Sequence, residues 1–262
     1  MKLKKRQIAD IESILKSALR KKFQNYKPEP AAMPFHTRLL GRDRLALFSF
    51  IQSLNTHFGT SIFEPVAVAL ASYRFIKAEA HVNSGCYISE QAQYEIQQIM
   101  DNLTAAQEKP NKLAEIEILR NVCQSGKMRK VKLPKIDVAL TSQDGTLHFF
   151  DIKTAKPNKG AFKEFKRTLL EWVACTLANK PDAKINTYIA IPYNPYYPKQ
   201  YSRWTMAGML DLKNELKVAE EFWDFLGGEN TFSILLKSFE KVGVELRTEI
   251  DEYFYKFNSL IN

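Results

Sequence analysis

Residues 131–153 read VKLPKIDVALTSQDGTLHFFDIK, and this stretch decides the fold. Two short runs rich in β-branched and aromatic residues flank Ser142-Gln143-Asp144-Gly145. An Asp-Gly pair between such runs predicts a β-hairpin. Strand side chains alternate between faces, so Asp151 and Lys153 project together, and pairing brings Asp137 alongside them. A plain two-residue turn would set position 137 opposite 152 and aim Asp137 at the wrong face. Convergence of the two acids therefore requires a three-residue loop, a bulge, or a kink after Pro134.

Outward from the hairpin, Pro157 and Gly160 precede a helix over 161–179, with Phe162, Phe165, Leu169, Trp172, Val173 and Thr176 as its apolar stripe. KINTYIAIPY (184–193) follows as a buried strand, then the Pro- and Tyr-rich loop YNPYYPKQYSRW (193–204). Upstream, helical periodicity covers 5–23, 43–57, 62–77 (with Ser61 as its N-cap), 89–107 and 112–124, and a connector holds Pro28, Pro30 and Pro34. Residues 1–262 thus read as one domain of the α/β (α+β) class. It has a helical N-terminal portion (about 1–125), a hairpin and helix (127–179), a strand and loop (184–204) and a helical C-terminal portion (205–262).

Composition bounds the function. The chain has 262 residues, 45% hydrophobic and 26% charged, with 10 Gly and 11 Pro, which excludes disorder and collagen-like architecture. No apolar run is long enough to span a bilayer, and Asp10 and Glu12 interrupt any signal-peptide core, so no membrane is expected and the location reads as cytoplasmic. Three widely spaced cysteines (Cys86, Cys123, Cys175) fit neither a disulfide framework nor a zinc site. No P-loop or GxGxxG is present, which disfavours ATP-driven and nicotinamide enzymes. The net charge of +9 sits in two segments: residues 1–44 carry +8 and 127–167 carry +7, leaving −6 elsewhere. Such concentration predicts a polyanion gripped around a small acidic centre, provided that both segments face the same way.

That centre has a definite chemistry. Two carboxylates beside one ammonium suit a hard divalent cation such as Mg²⁺, with Lys153 orienting a water or stabilising developing charge. The pattern P-x₂-D…D-x-K on a hairpin, followed by a helix and a strand, resembles the PD-(D/E)xK nuclease superfamily, although Pro134 stands three residues before Asp137. DIKTAKPNKGAFKEFKRTLLEW (151–172), IPYNPYYPKQYSRW (191–204) and MPFHTRLLGRDR (33–44) are similar to the TdeIII and MjaII group of type II restriction endonucleases. The resemblance runs from about Pro34 to Trp204.

It implies a mixed-sheet core in αβββαβ order, restriction-endonuclease-like, and Mg²⁺-dependent hydrolysis of double-stranded DNA to 5′-phosphate ends. A homodimer, a GGNCC-like target and a cognate DNA methyltransferase follow from the same resemblance. Asp137 and Asp151 match its metal-binding acids and Lys153 its lysine. Glu64 is a candidate third metal ligand from an upstream helix, against the plain alternative that an acid in a first helical turn favours the helix dipole.

Lys156, Lys159, Lys163, Lys166 and Arg167 read as phosphate contacts beside the acids, against a merely solvated helix face. Tyr193, Asn194 and Arg203 are candidates for base or backbone contact, against a rigid surface loop. Arg38 and Arg42 form a basic patch with His36 and Arg44. His57, His81 and His148 read as structural. The competing functions are a repair or recombination nuclease without a strict target, and a non-catalytic DNA-binding protein.

Overall fold

A computed structural model describes residues 3–26, 33–202 and 204–258. The hairpin is present. Strands β4 (Ile136–Thr141) and β5 (Leu147–Ile152) pair antiparallel with Val138 opposite Phe150 and Thr141 opposite Leu147. Ser142 N–H donates to the Thr146 carbonyl, and Gly145 N–H to the Ser142 carbonyl, both at 2.9 Å. The loop is therefore Gln143-Asp144-Gly145, a three-residue connection. Gly145 takes φ +80°, a conformation that costs an L side chain, and this is the left-handed position such loops need. The Asp144 carboxylate accepts from Thr146 N–H (3.1 Å) and Thr146 Oγ1 (2.8 Å), which pins the turn and lowers the Asp144 pKa.

Around the hairpin lies a five-stranded mixed sheet. Strand β1 (Lys77–Val82) pairs antiparallel with β4, β6 (Ile185–Ile191) pairs parallel with β5, and β7 (Leu216–Val218) pairs parallel with β6, giving the order β1-β4-β5-β6-β7. Helix α4 (Glu64–Ala71) precedes β1, and α7 (Phe162–Asn179) connects β5 to its parallel neighbour β6. The succession α4, β1, β4, β5, α7, β6 is the αβββαβ order, with a smaller unit inserted between β1 and β4. That insert comprises β2 (Tyr87–Ser89), α5 (Glu90–Thr104), α6 (Lys112–Val122) and β3 (Met128–Lys130), with β2 and β3 forming a second sheet.

Alternation feeds two cores. Val138, Leu140, Phe150, Tyr188 and Ala190 point to one face, under α1 (Lys5–Asn25), α4, α10 (Glu220–Gly227) and α11 (Thr231–Glu245). Ala139, Phe149, Ile185, Ile189 and Ile191 point to the other, under α5, α6 and α7. A third, aromatic cluster joins α3 (Arg42–Phe58) to α12 (Arg247–Asn258) through Phe50, Phe23 and Tyr253.

The structure corrects three expectations. The stretch 62–77 is not one helix: α4 ends at Ala71 and Lys77–Val82 is a strand, so the N-terminal portion is not wholly helical. Ser61 caps nothing, because α3 runs through a π-helical turn (Gly59–Phe63) into α4 without a break. The two basic segments also part company. Helix α1 lies on one face of the sheet and α7 on the other, and Lys16 and Arg20 are paired with Glu245 and Glu249. By contrast Ser89 does cap α5, accepting from Ala92 N–H at 3.0 Å.

Candidate active site

The β4–β5 register, continued by one residue past Val138–Phe150, sets Asp137 directly opposite Asp151. Both side chains, with Lys153, take the sheet face that α7 covers. The segment before β4 is tied down by Trp172 of α7, whose indole N–H donates to the Pro134 carbonyl at 3.0 Å. Asp137 Oδ2 accepts from the Ile152 backbone N–H at 2.7 Å, so one carboxylate oxygen is held and the other is left for a ligand. Lys153 continues the parallel ladder, its N–H donating to the Ala190 carbonyl. Its Nζ lies 2.7 Å from Asp151 Oδ1 and 4.8 Å from the centre of the Phe165 ring.

Glu64 belongs to the same electrostatic unit. It is 3% exposed, and the one side chain close to its buried Oε2 among the described contacts is His81, at 3.1 Å without hydrogen-bond alignment. Burial first, and the charge of Asp151 second, push the Glu64 pKa up to about 7. Asp137 is likewise raised to about 7, by burial and then by Asp151, against the Ile152 hydrogen bond that favours its ionised form. Two acids whose ionised form is disfavoured by burial and by neighbouring Asp151 call for a cation. The helix-dipole account of Glu64 fails, because its N–H is already bonded to the Gly59 carbonyl inside a continuous helix. A π-helical turn immediately before a buried acid is the kind of irregularity that sets a side chain at a functional site.

Among the described residues, no three His, Cys, Asp or Glu side chains stand converged as a ready-made metal cage. The donor set nevertheless fits Mg²⁺, which binds through one or two carboxylates and completes its shell with water and substrate phosphate. Glu64 and Asp137, both buried and both raised in pKa beside Asp151, are carboxylates that a divalent cation would satisfy.

The remaining candidates divide. Lys156 and Lys163 are exposed where β5 gives way to α7, and Lys156 Nζ lies 5.3 Å over the Tyr196 ring. Tyr201 hydroxyl donates to the Ala155 carbonyl at 3.0 Å, so the loop after β6 is fastened to the segment after β5, at the carboxyl ends of parallel strands. Tyr193 is exposed on that loop. Lys159 opens a short 3₁₀ turn, Lys159–Ala161.

Lys166 is a correction. It is completely buried, bonded to Glu115 Oε2 (2.5 Å) and Glu215 Oε2 (2.7 Å), with Lys112 joining Glu215 and Thr187 beside it. Helix α7 is sheathed by α5, α6 and β2 as well as by the sheet, so its charged stripe is not a free face. Arg167 donates to Gln97 Oε1 at 2.7 Å, and Asn194 spends its side chain within its own loop, on Lys199 carbonyl and Tyr196 N–H. Arg38 and Arg42 are exposed on α2 (Pro34–Leu40) and at the start of α3. Roughly 30 Å of helical rise separates Arg42 from Glu64, so the pair does not join the carboxylates. Arg203 lies outside the described residues.

His81, read from the sequence as structural, stands beside these acids. Continuing the β1–β4 register places it opposite Asp137; its backbone φ is +56°, and its Nε2 is 3.1 Å from Glu64 Oε2. Nothing in a lone histidine between alanine and valine signals this.

The chain is similar to known proteins along most of its length. The sequence model of a family described as "Type II restriction endonuclease, HinfI" matches residues 3–243. Type II restriction enzyme HgiCII of Herpetosiphon aurantiacus is 25% identical over 221 residues, covering 83% of this chain and 80% of that protein. HgiBI of the same organism is 24% identical over 252 residues, 88% and 87% of the two chains. Type II restriction enzyme MjaII of Methanocaldococcus jannaschii is 28% identical over 204 residues, which are 73% of this chain and 54% of that protein.

Proposed function

Because the chain belongs to the HinfI family of type II restriction endonucleases, we propose that it cuts double-stranded DNA by Mg²⁺-dependent hydrolysis at Asp137, Asp151 and Lys153. The observation that carries this reading is the three-residue hairpin loop, which sets Asp137 opposite Asp151 with Lys153 ion-paired on the same face. It is the D…D-x-K arrangement of a PD-(D/E)xK nuclease, and Glu64 is its third acid.

Asp137, through the oxygen that Ile152 leaves free, and Asp151 would hold the cation, with Glu64 supplying a further oxygen directly or through water. When bound, the cation supplies positive charge to the phosphoryl group and lowers the pKa of water. Lys153, held by Asp151 and resting on Phe165, hydrogen-bonds the attacking water and meets the negative charge that grows on the phosphate. The water oxygen bonds to phosphorus and gives up a proton to solvent, the bond from phosphorus to O3′ breaks, and O3′ takes up a proton from solvent. The products are a 5′-phosphate and a 3′-hydroxyl. Lys156 and Lys163, with Lys159, contact the phosphates beside the scissile bond, and Tyr193 reaches the duplex from the loop after β6.

Two cuts in a palindromic target call for two chains, hence a homodimer. The resemblance of residues 151–172 and 191–204 to the TdeIII and MjaII group supports a GGNCC-like target, with a cognate DNA methyltransferase protecting host DNA in the cytoplasm. No helix among the described residues is long and apolar enough to cross a membrane.

The test uses purified protein and plasmid DNA with Mg²⁺, with EDTA, and with Asp151→Asn. Discrete fragments with Mg²⁺ alone are expected. A smear would replace this reading with a nuclease lacking a strict target, and intact but gel-shifted DNA would replace it with a binding protein.

A further inference from the structure

Helix α2 is an anomaly. Its seven residues, Pro34–Leu40, carry three large apolar side chains, yet none of the seven is buried. A helix this short does not persist in water on propensity alone; it needs an apolar face covered by something else. Phe35 and Leu39, one turn apart on the same side, are each 82% exposed.

The exposure continues into α3. Leu47, Phe48 and Ile51 are spaced as one stripe, turned away from Leu45 and Ala46, which α3 buries, and Leu40 stands at the joint between the helices. Helix α2 meets α3 at Gly41, whose φ of +91° lets the chain turn in a single residue. Among the described residues, no other stretch of twenty exposes more than three large apolar side chains, whereas this one exposes six besides Met33. Taking 150–250 Å² for a large side chain and the exposures observed, the ridge offers on the order of 600 Å² of apolar surface. A stable complex takes about 800 Å² from each partner, a little over half of it apolar, so one such ridge is enough.

We propose that this ridge is where a second copy of the chain docks, α2 and α3 against α2 and α3 across a two-fold axis. The proposal rests on the reading that two chains cut one target, and it names the surface that joins them. A two-fold contact requires a surface complementary to itself, and aliphatic and aromatic side chains meet that requirement where a one-signed charged surface cannot. Duplex DNA is the wrong occupant, because its phosphates would lie against Phe35, Leu39 and Phe48. The arginines Arg38 and Arg42 border the ridge and remain in water.

Sedimentation of the full chain without DNA or metal tests the proposal, comparing the wild type with Phe35→Glu/Leu39→Glu, with Phe48→Glu, and with Leu113→Glu as an exposed control on α6. The wild type and the control are expected as dimers. The ridge variants are expected to fold, with circular dichroism close to that of the wild type, and to dissociate on the order of a hundredfold more readily, since each charge is buried twice across the axis. A monomeric wild type overturns the proposal, as do ridge variants that stay dimeric. A monomer whose ridge variants bind DNA more weakly assigns the surface to DNA instead. Loss of cleavage in Asp151→Asn is read separately from all of these, so failure of the dimer surface leaves the nuclease reading standing.

Discussion

At the scale of single residues, charge type says little about role until burial is known, and α7 shows why. Lys163 and Lys166 are three positions apart on one helix, and both look like phosphate contacts in sequence. Lys163 is exposed; Lys166 is sealed between Glu115 and Glu215. Removing one partner of a buried ion network leaves the others uncompensated, at a cost of about 3–5 kcal/mol. Lys166→Met is therefore expected to lower the urea midpoint sharply, while DNA affinity per folded molecule is retained. Lys163→Met should do the reverse, weakening DNA binding with the midpoint unchanged. Urea titration with a filter-binding assay separates them, and equal stability for the two variants would return Lys166 to the DNA surface. The sequence could not distinguish them because the sheath around α7 comes from α5, α6 and β2, more than thirty residues away at the nearest.

Elements were legible in proportion to the locality of their signal. The hairpin, α7 and β6 were visible because turn chemistry and apolar period agree within about ten residues. Strand β1 was not: KAEAHV opens on four good helix formers and follows a helix, and its charges are those of an edge strand kept from pairing further. With β1 unseen, His81 could not be placed opposite Asp137, nor its approach to Glu64 anticipated. The loop length was deducible because a one-residue slip turns a whole strand over, so demanding that Asp137 face Asp151 leaves few connections. Gly145 makes that connection possible. A Cβ there would meet nothing within 4 Å, so Gly145→Ala isolates the backbone conformation at φ +80°. A loss of about 1 kcal/mol is expected, read by thermal unfolding, with the cleavage rate at saturating Mg²⁺ unaltered. A fall in rate at unchanged stability would mean that the loop controls the acids by more than register.

Across the whole molecule, the +9 net charge does not act as one grip. The sheet separates the basic segments, and on α1 the charge of Lys16 and Arg20 is spent on Glu245 and Glu249, so those positions hold helices together. The charge proposed to meet DNA lies near the carboxylates, at the carboxyl ends of β5 and β6, where Lys156 rests on Tyr196. Each lysine that neutralises a phosphate on duplex DNA steepens the fall of log affinity with log salt by about 0.9. Lys156→Gln and Lys163→Gln should each reduce that slope by about one, and the double variant by about two. Lys16→Gln/Arg20→Gln removes as much positive charge from the chain and should leave the slope where it was, because neither residue gives up a counter-ion to DNA. Measuring affinity for one duplex across a salt series decides between a local contact and a general field. If the α1 variant flattened the slope as much as the α7-side pair, the DNA would have to reach around the edge of the sheet to both faces.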